Sequence, residues 1–396
     1  MKAMRNKKEA GATIAAALVL VVGMGFGRFA FTGLYPLMIA DQQISVEGGS
    51  YAASANYAGY LIGALLAALL SGIPSRKLCT FATITTVITL GLLALPLPEW
   101  LIVTIRGFSG LFSAVSMVAA SHWLIHDRRL HGGAPALYSG VGIGILLSAE
   151  MIAVGHVASL SSHMIWFALA AAALAVTIVS IAMQAKAESS KPYQIQEQPA
   201  LHEERPLLLG ATRLIVIYGL AGLGYIITAT YLPLLVRSAL VSVDPVHIWA
   251  VFGLGAVPSC FLWHSLHQKW GTHRSLMANL FVQAIGVILP VLHTPVSYIV
   301  SALLVGGTFM GTVTIAMPAA RKLAAKVRFN MLAIMTASYG VGQIVGPLMA
   351  NTLYARTASF DTSLIVAALA LLISGALCFG RVTHTGKAQE ELTAKE

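Results

Sequence analysis

The sequence predicts an all-α membrane protein of twelve transmembrane helices arranged as two pseudo-symmetric six-helix bundles. Three observations predict it. Apolar runs of membrane-spanning length recur with short polar breaks, lysine and arginine fall almost wholly on one side of those runs, and local motifs return about 200 positions later.

Of the 396 residues, 57% are hydrophobic and 10% are charged, with a mean hydropathy of +0.79. A soluble domain carries about 25% charged residues, because a water-facing exterior needs them. Hydrocarbon can solvate this chain where water cannot. Cys79, Cys260 and Cys378 lie far apart. They form neither a disulfide framework nor a metal set and read as small apolar fillers. No cofactor is expected.

The expected spans are 13–38, 50–72, 79–97, 100–121, 136–157, 163–184, 210–236, 246–266, 274–293, 296–319, 331–354 and 362–381. Each is long and uniformly apolar, which suits a helix of about 20 residues and not a barrel strand. The chain opens with Lys2, Arg5, Lys7 and Lys8, like a signal peptide, but the apolar run continues to about Met38. A signal peptide's apolar region covers only about 7–15 residues, so an uncleaved first helix is expected. The polar stretch 185–209 reads as a linker between an N-terminal bundle, 1–184, and a C-terminal bundle, 210–396.

With the N-terminus inside, 21 of the 25 lysines and arginines fall on the cytoplasmic side, against Arg237 and Arg356 opposite. Arg28 and Arg106 lie within spans. This asymmetry predicts cytoplasmic termini. It also explains the net charge of +10 as membrane topology, with no nucleic-acid partner expected.

The halves carry matching motifs. Gly25, Gly27, Pro36 and Leu37 in the first span match Gly222, Gly224, Pro233 and Leu234 in the seventh, 197 positions on. Gly140-Val-Gly142 recurs as Gly340-Val-Gly342, and Ser109 and Ser113 fall opposite Thr308 and Thr312. Repeats running the same way through the bilayer imply two bundles rocking about a central site.

Arg28 is the sharpest feature. An arginine at a helix centre costs about 2.5–3.5 kcal/mol on insertion scales, so it must face the bundle interior. Thr32 and Tyr35 follow at i+4 and i+7 on the same face. Two readings fit: an anion-binding or proton-coupling group, or a structural pair with Glu150. Arg106 lies near the outer end of the fourth span, on one stripe with Ser109, Gly110, Ser113 and Met117. Coupling and snorkelling to the interface fit it equally. Glu150 is the only carboxylate well inside a span and reads as an ion-pair partner or a protonatable carrier. Asn56, Tyr57, Tyr60, Tyr225, Thr228, Tyr339 and Gln343 are polar groups at membrane depth, open to substrate contact or helix–helix hydrogen bonds. Tyr225 occupies the repeat position of Arg28.

Gly140, Gly144 and Ser148 form a small-residue face, as do Gly342, Gly346 and Ala350. Such faces permit close helix approach. Pro36, Pro233, Pro258, Pro318 and Pro347 are expected within helices, where neighbours can re-satisfy the backbone. His122, His126 and His131 lack acidic or thiol companions except Asp127, expected on another face, so no metal site is read there. Gly107-Phe-Ser109-Gly110 is similar to the Gly-x-Ser motif of intramembrane serine proteases, with His156 or His163 as a conceivable base. Duplication of the chain argues against that chemistry.

The stretch Gly25-Phe-Gly-Arg28-Phe-Ala-Phe31 with Tyr35-Pro-Leu-Met38, followed by Ala53-Ser-Ala-Asn56-Tyr57-Ala-Gly-Tyr60-Leu61, resembles the major facilitator superfamily, in its bacterial YbfB/YjiJ-like branch. The resemblance implies the major facilitator fold and transport, not enzymatic activity. Arg106 with Gly110 resembles the Arg-x-x-x-Gly motif of proton-coupled members and implies a coupling role for Arg106. The fifth-span glycines resemble the antiporter motif without its Gly-Pro, which appears instead as Gly346-Pro347. The loop after the second span, Gly72-Ile-Pro-Ser-Arg76-Lys77, departs from the family's gating motif by lacking its Asp, and Lys269-Trp-Gly271-Thr-His-Arg274 keeps part of that pattern. The expected activity is proton-coupled transport of a small organic, anionic solute, with a drug-type efflux antiporter as the alternative. The expected setting is a bacterial inner membrane, as a monomer.

Overall fold

The computed structural model describes residues 2–70, 72–188, 209–236, 244–324 and 326–379, which form helices joined by short turns, with no strand among them. In order they are α1 (Glu9–Ala40), α2 (Val46–Leu69), α3 (Ser75–Leu93), α4 (Glu99–His122), α5 (Ala134–Val157), α6 (Ser162–Glu188), α7 (Ala211–Val236), α8 (Val246–Ile288), α9 (Pro295–Ala324), α10 (Met331–Thr357) and α11 (Asp361–Ala376). Local sequence sets the ends. Ser45 caps α2 by accepting from the Gly48 amide, and Asn330 caps α10 by accepting from Ala333. Pro98 precedes α4, and Pro135 occupies the first turn of α5. All five expected prolines lie inside helices. The linker expected at 185–209 falls mostly outside the described residues, and α6 runs four residues beyond its expected end.

Among the described residues, nine helices are long and apolar enough to cross a membrane, and Asp361–Ala376 is a shorter apolar one. The run Val246–Ile288 contains a break at Gly271, with φ 76° and ψ 174°, a region closed to side-chain-bearing residues. The Trp263 indole donates to the Gly307 carbonyl at 2.7 Å, and the Asn279 amide donates to the Thr308 carbonyl at 3.0 Å. Sixteen residues of unbroken helix would hold Trp263 and Asn279 about 24 Å apart. Both instead reach one turn of α9, so the arms 246–270 and 272–288 fold back on each other. The sequence expectation of two spans around Lys269–Arg274 matches this hairpin.

α1–α6 form one set and α7–α11 another. They meet where α5 packs on α8, α2 on α10, and the second half of α1 on α7. A continuous apolar core runs through both sets. Glycines mark the closest approaches. A methyl on Gly110 would run into the Asn56 backbone, and one on Gly306 would meet the Phe252 backbone in the same way. Gly59 against Gly107 and Leu111 likewise matches Gly255 against Leu303 and Gly307. These paired contacts stand 196 positions apart. Gly142 faces α8 and Gly340 faces α2, while Gly144 meets Val21 and Gly342 meets Gly219, each pair 198 apart.

The repeat is therefore present in packing, but two of its expected alignments shift. By contact, Gly340 corresponds to Gly142 and not to Gly140. Ser109 and Thr308 are not equivalent, because Ser109 bonds to α1 whereas Thr308 bonds back to Leu304 on its own helix. Alternating Gly-x-Gly runs align equally well two residues out of step, and only contact fixes the register. We expect Gly110→Val to lower stability by about 1–3 kcal/mol through overpacking against an immovable backbone. This would be read as reduced yield and melting temperature in detergent.

Candidate functional site

The site begins with an irregularity in α1. Residues Val21–Phe29, which carry Gly23, Gly25, Gly27 and Arg28, form a π-helical segment within the otherwise α-helical span. Such segments disturb the regular i→i−4 ladder and recur at functional sites. Here carbonyls of the segment accept bonds from other helices. Ser113 donates to Gly23, Ser109 to Gly27 at 2.6 Å, and Trp249 of α8 to Phe29 at 3.0 Å. Arg106 donates to the Gly27 carbonyl at 2.8 Å and to the Arg28 carbonyl at 3.0 Å, while its guanidinium lies 4.5 Å from the Phe31 ring centroid. Arg106 is 2% exposed. The snorkelling expectation is thereby corrected: the arginine turns inward because free carbonyls offer it better partners than the interface. The stripe Arg106–Ser109–Ser113 works as a clamp on α1.

Arg28 itself is 3% exposed, and its guanidinium carbon lies 4.1 Å from the Tyr60 ring centroid, 5.0 Å from Tyr57 and 5.3 Å from Phe29. Its Nε is buried without a hydrogen-bond partner, and no ion pair forms to it among the described residues. Aromatic faces attract a cation but leave its in-plane N–H groups unused. From Phe29 a line of rings crosses into the other set: Phe309, Tyr225, Tyr339 and Tyr218, with neighbouring centroids 4.4–5.8 Å apart. Gln343 donates to the Tyr225 hydroxyl at 2.5 Å and keeps its own carbonyl oxygen buried and unpartnered. Arg28, Tyr57, Tyr225, Tyr339 and Gln343 thus gather around one aromatic array.

The remaining expected residues stand apart from it. Thr32 donates to the Ala229 carbonyl at 2.9 Å, and Tyr35 to the Val46 carbonyl at 2.7 Å. Asn56 donates to the Arg106 carbonyl, which ties α2 to α4, and leaves its own oxygen unpartnered. Thr228 is fully buried with an unpartnered hydroxyl. Phe29, Phe309 and Tyr218 were not among the expected site residues. Tyr218 could have been found, since it lies two helical turns before Tyr225 on the same face. Nothing in the sequence marks the two phenylalanines.

The Arg28–Glu150 pair is not formed. Glu150 lies near the end of α5, about half exposed, and its carboxylate sits 3.3 Å from His247 Nδ1 on α8. Position near a helix end lets the carboxyl reach the aqueous boundary, where it costs less than beside a buried cation. A second pair runs the opposite way, His156 of α5 to Asp244 ahead of α8, at 2.5 Å. Among the described residues, the side-chain hydrogen bonds joining the two sets, including Tyr57–Thr230, Tyr231–Ser50 and Ser54–Ile344, lie in the half of the molecule toward Asp41. We expect Glu150→Gln with Asp244→Asn to loosen this closure. At about 0.2–1 kcal/mol for each exposed pair, the open population should rise about fivefold, read as labelling of a cysteine placed at Thr32.

Other candidates resolve simply. A π turn over Trp123–Asp127 brings Asp127 within 3.2 Å of His122, correcting its expected placement on another face, yet no group of three metal-ligating side chains occurs among the described residues. Arg76, in the loop that departs from the gating motif, pairs with Glu188 at 2.6 Å inside its own set. The Ser109 hydroxyl is committed to Gly27, while His156 and His163 engage Asp244 and Gln43. A cleft of about 470 Å³ between α5, α8 and α9, lined by Ile143, Leu146, Leu254 and Pro258, is apolar and holds none of the candidate residues.

Helices of membrane length in two packed sets, with a buried cation where the sets meet, define a multi-pass membrane protein. The chain belongs to the MFS_4 family, described as "Uncharacterised MFS-type transporter YbfB", whose match covers residues 20–379. It is therefore a transport-family protein and not an enzyme, as the residues of the first two helices led us to expect. The fold is similar to crystal structures of the nucleoside transporter NupG. One of them, of a point mutant, has a TM-score of 0.69 at 13% identity, covering 93% of this chain and 100% of that one. A second NupG structure gives 0.67 at 14%, covering 93% and 98%. No curated protein sequence matches this chain.

Proposed function

We propose that this chain is a proton-coupled secondary carrier that moves a small organic anion across a bacterial inner membrane by alternating access. The observation that carries the reading is Arg28, a buried guanidinium held among aromatic rings with no counter-charge among the described residues. An intramembrane charge without a partner is costly, and an anionic solute supplies one. A monomer with twelve crossings follows when each arm of α8 spans the bilayer once. The lysine and arginine distribution then sets both termini in the cytoplasm. With the Asp41 end outside, the bonds joining the sets close the outer face, the arrangement of an inward-facing carrier. Arg106 clamps the backbone of the segment that carries Arg28, so it couples protonation to transport only through α1.

NupG is a nucleoside transporter by name, but a neutral nucleoside would leave the Arg28 charge uncompensated. The aromatic array is the observation behind the second reading, an efflux antiporter for amphipathic compounds. Proteoliposomes separate them. A proton gradient is imposed and flux is followed for organic anions, neutral nucleosides and lipophilic cations. Anion flux that follows the gradient is the expected result. Flux of only neutral or cationic amphiphiles, or none in either direction, would overturn it.

A further inference from the structure

Resting on the carrier reading, we infer that the outer ends of α5 and α8 form a proton-operated clasp: His156 and His247 take protons from the outside medium, and the charge they gain holds the outer face shut. Among the described residues, two ion pairs join the two sets, His156 Nδ1 with Asp244 at 2.5 Å and His247 Nδ1 with Glu150 at 3.3 Å. Arg76–Glu188, His122–Asp127 and His293–Asp361 each stay inside one set. Both joining pairs therefore set an imidazole against a carboxylate. A lysine or arginine there would keep its charge at every physiological pH and make the tie permanent, whereas an unperturbed imidazole changes charge near pH 6.5, at about the middle of that range.

The pairs are matched across the seam. Gly142 meets Val257 while Leu146 meets Gly253, so α5 and α8 run antiparallel. His156, nearer the end of α5 than Glu150, accordingly meets Asp244, which precedes His247. The Val246 amide donates to Asp244 Oδ1 at 2.9 Å, which fixes the carboxylate and leaves Oδ2 for His156. Both imidazoles are about half exposed, so protons reach them from water without entering the seam. The other titratable groups at the outer ends of the helices packed on α5 and α8 are engaged within one set. Asp41 accepts from the Ser162 amide, His163 meets Gln43, Glu99 accepts from the Ser45 amide, and His293 meets Asp361 and Tyr298. Arg237, past the end of α7, lies outside the described residues.

A protonated imidazole makes a charge-assisted bond to its carboxylate. A neutral one offers at most an ordinary hydrogen bond, or, in its other tautomer, a lone pair facing the acid. The clasp is thus strongest from about pH 4 to about pH 6.5, where acids are ionised and imidazoles charged, and it is lost as pH rises through the imidazole range. Exposed pairs are individually weak, and two together change the open share of the outer face about fivefold. Acid outside favours the inward-facing arrangement.

The test uses the full chain in lipid nanodiscs, with the three buried cysteines replaced by alanine and spin labels carried by Trp100→Cys and Val296→Cys. These positions are exposed at the outer ends of α4 in one set and α9 in the other. Distance distributions are recorded from about pH 5 to about pH 8, the span over which imidazoles titrate. The long-distance, outer-open population should rise about fivefold across it. His156→Gln with His247→Gln should abolish the pH dependence and hold the population near its high-pH level. Glu150→Gln with Asp244→Asn removes the same pairs from the acid side and should do likewise. His163→Gln, at the same end but inside one set, should leave the dependence intact. Open and closed populations that ignore pH in the wild type, or a histidine variant that keeps the dependence, would overturn the clasp and leave the carrier standing. A single distance at every pH in every variant would overturn alternating access and the clasp with it.

Discussion

Arg28→Ala is expected to reduce transport of the anion at least 100-fold, to the level of empty vesicles, while the protein still inserts and folds. The argument is energetic. The wild-type guanidinium sits at membrane depth, 3% exposed, with ring faces around it and no carboxylate partner among the described residues. Removing it relieves an insertion cost of about 2.5–3.5 kcal/mol on translocon scales and surrenders three cation–π contacts of about 0.5–2 kcal/mol each. The two contributions offset to within a few kcal/mol, so the melting temperature of the variant should stay near that of the wild type. Arg28→Lys keeps the charge without the fork and should retain a fraction of the rate with a raised apparent KM. The competing account, a structural pair with Glu150, makes a different forecast: unfolding on loss of Arg28, rescued by Glu150→Gln. That outcome would sink the anion-site reading. Flux and melting curves on the same preparation decide between them.

Arg106→Leu should have the opposite signature, with folding lost first. This side chain donates two charge-assisted bonds to main-chain carbonyls of the π segment. Leucine would leave the Arg28 carbonyl unmet by this side chain, and Gly27 with Ser109 alone. Polar contacts within membranes average about 0.6 kcal/mol, but bonds from a charged donor are stronger, and a buried unsatisfied group costs about 1–3 kcal/mol. A loss of about 2–4 kcal/mol is expected, seen as a lower melting temperature and poor yield. Arg106→Lys can satisfy one carbonyl well and should fold. Its expected defect is a raised KM for the anion, because the backbone that aims Arg28 is no longer held at both points. A lysine variant with wild-type KM would remove the positioning role.

How much of this was legible beforehand follows from the range of the forces involved. Hydropathy is local, so the spans were readable to within a few residues, and the hairpin at Gly271 was visible as a polar break in an apolar run. Arg28 was readable because a charge in an apolar span has few places to go. Its surroundings were not. Tyr60 on α2 and Phe309 on α9 reach Arg28 and Phe29 only through the packing of three helices. Glu150 enters as the partner in one of the two readings of Arg28 because it is the only acid well inside a span, yet the choice is settled by His247, a residue that hydropathy places at a span's edge. The π segment left no trace in composition, since glycine-rich runs serve straight helices as well.

That segment sets the two halves apart in a way that can be counted. Val21 and Gly219 play the same part against Gly144 and Gly342, 198 positions apart. Pro36 and Pro233 lie inside the corresponding helices, 197 apart. Between these markers α1 holds one residue more than α7, and the surplus falls where α1 is π-helical and α7 is regular. A π turn absorbs an added residue without rotating the helix on either side of it. The difference between a half that bears a cation with carbonyls bonded to other helices and a half that presents Tyr225 in a plain helix thus amounts to one residue of length and one arginine. Two halves of one fold need not differ in their packing to become chemically lopsided, because a one-residue difference in the first helix of one of them suffices.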